Sequence, residues 1–228
     1  MSLAGPSVAA SPSLRLRRKI DLMVPPYAHA CQRLIDHPRL TDLFPEYLIS
    51  IHSIIRTTVP LMDAAIERAH GLGPGDPVAA SVGAYLERHV EEERDHDEWL
   101  LEDLGVLGFD RTTVLPRVPT AAVASLAGSQ YYWVLHHHPV ALLGYFAFME
   151  GSPPTMELIQ DLQAKTGYPP AAFRTLVKHG ELDPGHSEEI DHVIDSLPLA
   201  REHETVLGLS AMASAASLTR VVEEVLEG

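Results

Sequence analysis

Three stretches of the chain place carboxylates and histidines at the spacing of a helical turn. In His89-Val90-Glu91-Glu92-Glu93-Arg94-Asp95-His96, Glu93 and His96 are three residues apart. On one continuous helix that offset sets them about 60° apart on the same face. Glu-x-x-His is the local unit of carboxylate-bridged di-iron sites in helical bundles; a solvated acidic face is the competing reading. Glu150 closes the apolar run Ala141-Leu-Leu-Gly-Tyr-Phe-Ala-Phe-Met-Glu150. A lone carboxylate there either has a buried partner or marks the helix emerging into water at Gly151-Ser152-Pro153-Pro154. In His179-Gly180-Glu181-Leu182-Asp183-Pro184-Gly185-His186, offsets of four and seven bring His179, Asp183 and His186 within roughly 60° on an ideal helix. Pro184 lacks an N–H and clashes with the carbonyl four residues back. Asp183-Pro184 therefore also reads as an N-cap followed by a first-turn proline, which makes a helix junction.

Taken together, Glu93, His96, Glu150, His179, Asp183 and His186 supply three imidazoles and three carboxylates. That set suits two octahedral divalent ions with positions left open for oxygen and substrate. A second Glu-x-x-His, Glu189-Ile190-Asp191-His192, keeps an alternative open. With Glu67, Glu93, His96 and Glu150 it makes the four-carboxylate, two-histidine set of a ferritin-like di-iron protein. Whether His179 or His192 joins the site distinguishes the two.

The elements that must position these groups are helical almost throughout. Apolar residues recur every three or four positions and no alternating strand pattern is convincing. The periodicity predicts helices at about 14–36, 41–71, 76–105, 119–137, 139–165, 170–180, 184–196 and 199–226, with kinks or breaks at Pro25, Pro26 and Pro60. Residues 1–13 read as a flexible tail and 14–228 as one domain, an all-α bundle of about seven to eight helices. The last helix carries Gly208, Ser210, Ala211, Ala213, Ser214, Ala215, Ala216 and Ser217, small residues suited to close packing.

Composition narrows the function classes. The 228 residues are 46% hydrophobic and 21% charged, ordinary for a globular chain. Seventeen Lys and Arg against 31 Asp and Glu give a net charge of −14, which argues against nucleic acid, because phosphate binding needs clustered cations. The single cysteine, Cys31, excludes an internal disulfide and any multi-cysteine metal site in one chain. No apolar run approaches the ~20 residues of a membrane span, so no membrane partner is expected and a cytoplasmic location is. Thirteen histidines beside so many acids suit nitrogen and oxygen metal ligation.

In this order and spacing the six residues resemble the haem-oxygenase-like di-iron oxidases, also called the iron-containing redox enzyme family. Tyr131 to Gly151 looks like that family's second ligand helix, and Asp183-Pro184 with His186 like its third; the resemblance covers about residues 80–200. It implies a haem-oxygenase-like bundle, two labile Fe(II) ions per chain, activation of O2, a small-molecule substrate, and often a homodimer. The reactions it implies are N-oxygenation, desaturation or oxidative C–C cleavage of an amino acid, amine or fatty acid. The flexible ligand segment predicts a partly pre-formed site, so that purified protein carries no iron, one ion or an adventitious metal.

The same fold hosts other chemistries, and three readings stay open beside this one. These are a cysteine nucleophile, for which only Cys31 is available, haem ligation through His29, and a non-catalytic helical interaction protein. His136, His137 and His138 point about 100° apart and cannot converge on one metal. His89, one turn before Glu93, reads equally as a partner of the ligands or as a surface residue. Tyr131, Tyr132, Trp133, Tyr145, Phe146 and Phe148 read mostly as core, with Phe146 and Ala147 as pocket wall. Arg56 and Lys178 are the cations available to a substrate carboxylate.

Overall fold

The computed structural model describes residues 10–228. Residues 1–9, most of the expected tail, lie outside the described residues. The tail's last residues belong to the fold: Ser11 caps the first helix by accepting from the Leu14 N–H. Ser13 is buried, with its N–H and hydroxyl both donating to Asp195 at 2.8 Å.

The chain forms α1 (Pro12–Ile35), α2 (Leu40–Ile55), α3 (Thr58–Leu72), α4 (Pro77–Glu93), α5 (His96–Val106), the short α6 (Arg111–Val114), α7 (Ala121–His136), α8 (Ala141–Met149), α9 (Met156–Thr166), α10 (Arg174–Ser196) and α11 (Arg201–Glu227), with a 3-10 turn, Pro170–Phe173, before α10. There is no strand among the described residues. The fold is the expected all-α bundle, but three long predicted helices are each two. The 41–71 stretch breaks at Arg56-Thr57, where the Thr57 hydroxyl donates to the Ile54 carbonyl, so Pro60 falls in the first turn of α3. The 76–105 stretch breaks at Arg94-Asp95, and 139–165 breaks after Glu150. Conversely, the junction expected at Pro184 does not form: α10 runs through it. Pro25 and Pro26 likewise lie inside α1.

α11 is the central helix, packed on α1, α8 and α7. Its small residues let α8 approach so closely that a Cβ on Gly144 would run into the Leu207 carbonyl. Gln130 ties α7 to the same helix, accepting from Ser210 Oγ at 2.8 Å and donating to Ser214 Oγ at 3.2 Å. By length and composition α11 is apolar enough to cross a membrane, which corrects the expectation that no segment is. Over half of its most apolar stretch is buried inside the bundle, so that apolarity serves the core.

Two apolar cores result. One joins α1, α3, α4, α7, α8, α10 and α11; the other joins α2, α5, α9 and the ends of α1 and α11. Tyr27 and Ile51 pack against both.

Candidate metal centre

The six acids and histidines come together between α4, α5, α8 and α10. Asp76 starts α4 by accepting from the Ala79 N–H at 2.9 Å, with Pro77 in the first turn, and the helix ends on Glu93. Arg94 is extended and Asp95 takes the left-handed conformation, φ 66°. α5 then begins at His96, so Glu93 and His96 do not share a helix face as their spacing predicts. The turn brings them together instead, with Glu93 Oε2 3.3 Å from His96 Nδ1. Glu150 is the residue that ends α8. It does not emerge into water but is buried.

α10 presents His179, Asp183 and His186 on one face, as their offsets predict. His179 Nδ1 lies 3.1 Å from Asp183 Oδ1. The helix sits against the segment after α8 so closely that a Cβ at Gly180 would meet the Pro154 carbonyl oxygen at 2.7 Å. Arg17 of α1 locks the two elements together. Its guanidinium donates to the Ala147 carbonyl in α8 and, in α10, to Asp191 at 2.9 Å and Ser187 Oγ at 2.8 Å.

Two overlapping sets of groups share Glu93. In the first, one ligand atom from each of His89, Glu93, Glu150 and His186 lies within 4.8 Å of all the others, and all four residues are buried. His89 Nε2 is 3.3 Å from Glu150 Oε1, and His186 Nδ1 is 3.5 Å from Glu150 Oε2 and 4.0 Å from Glu93 Oε1. In the second, His96 meets Glu93 Oε2, and the His96 and His179 rings are perpendicular with centroids 5.0 Å apart. One oxygen of Glu93 thus faces each set.

His89 is the member that sequence reasoning left undecided. It is fully buried, stacks on Tyr85 at 5.2 Å and meets the His186 ring edge-on at 4.9 Å. The available signal was its offset of four from Glu93, one turn along the same helix.

The Glu150 carboxylate, 3.5 Å away, pushes the His186 imidazolium up to about 9 against the opposing effect of burial. Burial disfavours charge on His89 and His179, but Glu150 and Asp183 respectively raise them above the ordinary imidazole value. Burial would lift the Glu93 carboxyl, yet His96, with His89 and His179 nearby, holds it below the usual range. Asp183 is raised, first by burial and further by Glu150 and Glu93, with His179 opposing.

The donor set fits iron. Among the described residues ten buried side-chain atoms lack a hydrogen-bond partner, and five of them are His96 Nδ1 and Nε2, Glu150 Oε2, His179 Nε2 and His186 Nδ1. Native proteins rarely leave such atoms unsatisfied, at ~1–3 kcal/mol each; here they are imidazole and carboxylate lone pairs that face one another, which a metal ion would satisfy together.

The competing sets do not form. Glu67 and His192 are exposed, and Glu189 is half-buried and pairs with Arg88, so the ferritin-like arrangement has no geometry. His29 is exposed. Burial raises the Cys31 thiol, the opposite of an activated nucleophile. His136 and His137 are exposed, while His138 is buried on Asp76 at 3.2 Å. Tyr132 is exposed rather than core. Arg56 is exposed and Lys178 lies over the Trp99 ring at 3.4 Å, so neither waits for a substrate carboxylate.

A cavity of about 380 Å³ opens on these groups, with Glu93, Glu150, His179 and Asp183 in its wall. Phe146 lines it as expected; Ala147 is buried away from it.

Fold and site together define a haem-oxygenase-like bundle with a buried imidazole–carboxylate centre. Similar solved structures include a domain of unknown function with a haem-oxygenase-like fold from Shewanella denitrificans (18% identity, 94% of this chain and 90% of that one, TM-score 0.78). Others are a TenA homologue from Pseudomonas syringae (12%, 93% and 92%, 0.70) and a CADD-like protein of unknown function from Nostoc punctiforme (16%, 94% and 97%, 0.66). A search among curated proteins returns no significant match. Residues 56–218 match the family described as iron-containing redox enzyme; the chain belongs to that family.

Proposed function

We propose that this protein is a non-haem di-iron oxidase that uses O2 to oxidise a small organic substrate, by N-oxygenation, desaturation or oxidative C–C cleavage. The observation that carries the reading is Glu93, one carboxylate turned toward two imidazole–carboxylate sets. Glu93, Glu150, His186 and His89 would hold one ion, and Glu93, His96, His179 and Asp183 the other. Bound Fe(II) supplies the electrons and the open coordination positions that O2 reduction needs.

The chain's own residues prepare and shield the site. Glu150 raises His89 and His186, and Asp183 raises His179; an imidazolium must release a proton to offer a lone pair, so metal uptake competes with protons. Tyr85 and Phe146 pack on the His89 ring and keep bulk water from that side. Arg17 holds the end of α8 to α10, which fixes Glu150 relative to His186. The family's oxidoreductase character and the buried His/Glu cluster support the enzyme reading. We further propose that the enzyme works in the cytoplasm as a homodimer.

The test is anaerobic titration with Fe(II), followed by exposure to O2 with a panel of amino acids, amines and fatty acids. Uptake of two Fe(II) per chain and metal-dependent O2 consumption are expected. A chain that binds no Fe(II) at millimolar concentration refutes the proposal.

A further inference from the structure

Three consecutive acids end α4, and successive residues of a helix point about 100° apart, so Glu91, Glu92 and Glu93 meet different surroundings. Glu93 is buried in the centre. Glu91 lies outside, paired with Arg94 at 2.7 Å. Glu92 stands between these two. Its side chain is half exposed, yet its Oε2 is 3.4 Å from His89 Nδ1, one turn back along α4. The same oxygen is 3.4 Å from His186 Nε2, across on α10. One carboxylate oxygen at the surface thus reaches both imidazoles of the first set.

The nitrogens it reaches are the outer ones. On the inner side of the same rings, His89 Nε2 lies 3.3 Å from Glu150 Oε1 and His186 Nδ1 lies 3.5 Å from Glu150 Oε2. A neutral imidazole carries one N–H and one lone pair, and the hydrogen bond made by one nitrogen decides what the other offers. To serve one ion the two rings therefore need opposite tautomers, Nδ1–H at His89 and Nε2–H at His186. The rings also meet edge-on at 4.9 Å, so a flip of either would disturb the other.

Resting on the di-iron reading above, we propose that Glu92 is the positioning residue for this half of the centre. It accepts the N–H of both imidazoles and so commits His89 Nε2 and His186 Nδ1 to the ion. Glu92 is not itself a ligand, because its oxygen lies on the far side of both rings from Glu150. At 3.4 Å both contacts are long for hydrogen bonds. A ligated imidazole is a stronger N–H donor, so they shorten on loading, and the charge of Glu92 in turn makes the inner nitrogens better ligands.

Heteronuclear NMR of histidine-labelled protein loaded with Zn(II), a diamagnetic stand-in for Fe(II), tests this, because ring nitrogen shifts separate a protonated nitrogen from a ligated one. His89 should show Nδ1–H with Nε2 ligated, and His186 the reverse. Each ring is assigned by the loss of its signals in His89→Phe or His186→Phe. Glu92→Ala should lose the single tautomer at both rings. Its affinity for one of the two Fe(II) ions, measured against a competing chelator, should fall by about 10-fold or more, with thermal stability nearly unchanged. Glu92→Gln, whose amide oxygen still accepts, should restore the tautomers but not the full affinity. Glu91→Ala should change neither.

Ligation of either ring through its outer nitrogen overturns the role of Glu92 and leaves the di-iron reading intact. So does a Glu92→Ala protein that keeps both tautomers and its Fe(II) affinity. A chain that takes up neither Zn(II) nor Fe(II) overturns the di-iron reading, and the assignment of Glu92 falls with it.

Discussion

Glu93 ends α4 and His96 begins α5, yet Glu93 Oε2 and His96 Nδ1 are 3.3 Å apart. The left-handed Asp95 between them turns the chain so that two side chains on different helices share one pocket. The other Glu93 oxygen faces His186, and the two halves of the centre meet at this one residue.

Removing that shared carboxylate should disable both halves. Glu93→Gln is expected to lower Fe(II) uptake from two ions to at most one and O2 consumption by at least about 100-fold, the upper end of what loss of an outer partner alone does. Circular dichroism should stay helical. Unchanged stoichiometry in anaerobic titration would take Glu93 out of the site.

His89 separates a ligand role from a packing role. His89→Phe keeps the stack on Tyr85 but removes both ring nitrogens. Fe(II) affinity, measured against a competing chelator, should fall by about 10-fold or more with thermal stability nearly unchanged. Equal affinity would make His89 a packing residue only.

The turn itself can be probed at Asp95, whose side chain makes no capping hydrogen bond. A left-handed residue with a β-branched side chain is strained by about 1–2 kcal/mol, so Asp95→Val should lower the urea midpoint accordingly and weaken Fe(II) binding. Asp95→Gly should keep both. Equal midpoints for Val and Gly would show that the turn carries no strain.

Metal should order the α10 ligand segment. Glu93, Glu150 and Asp183 crowd one pocket, and Gly180, Pro184 and Gly185 weaken the helix between the ligands. A ligand that binds the ordered form stabilises it, so amide exchange over residues 179–190 should slow when Fe(II) is added anaerobically. Equal protection with and without saturating Fe(II) would show a rigid, pre-formed segment.

Acid should act through His138, away from the centre. Burial lowers this imidazole, with Asp76 opposing and His203 and His137 adding repulsion. Its Nδ1 accepts from the Val140 N–H at 3.1 Å, a role lost on protonation. With the folded value below the unfolded ~6.5, the unfolded chain binds the extra proton first. The contribution is therefore complete above about pH 6.5 and declines as pH falls through and below it. Urea midpoints of wild type and His138→Asn should converge between pH 7.5 and 5.5; a constant difference would exclude the linkage.

Local spacing was enough to single out three stretches of acids and histidines, because helix geometry relates residues three, four and seven apart without reference to the rest of the chain. It places His179, Asp183 and His186 correctly, since α10 is one helix. There Pro184 deprives the Gly180 carbonyl of its donor, at a glycine whose missing side chain lets α10 lie against Pro154. For Glu93 and His96 the same arithmetic reached the right neighbours by the wrong route, because a continuous helix was assumed where the chain turns at Asp95. Nothing local distinguished a buried His89 from a surface one, or Glu150 facing its partners from Glu150 facing water. Those outcomes depend on α8 packing on α11, on α10 packing against α8 and α5, on α4 packing on α3, and on Arg17 of α1 joining the end of α8 to α10. Burial is a property of contacts between segments far apart in the chain, so the tertiary structure alone decided which acids and histidines share a pocket.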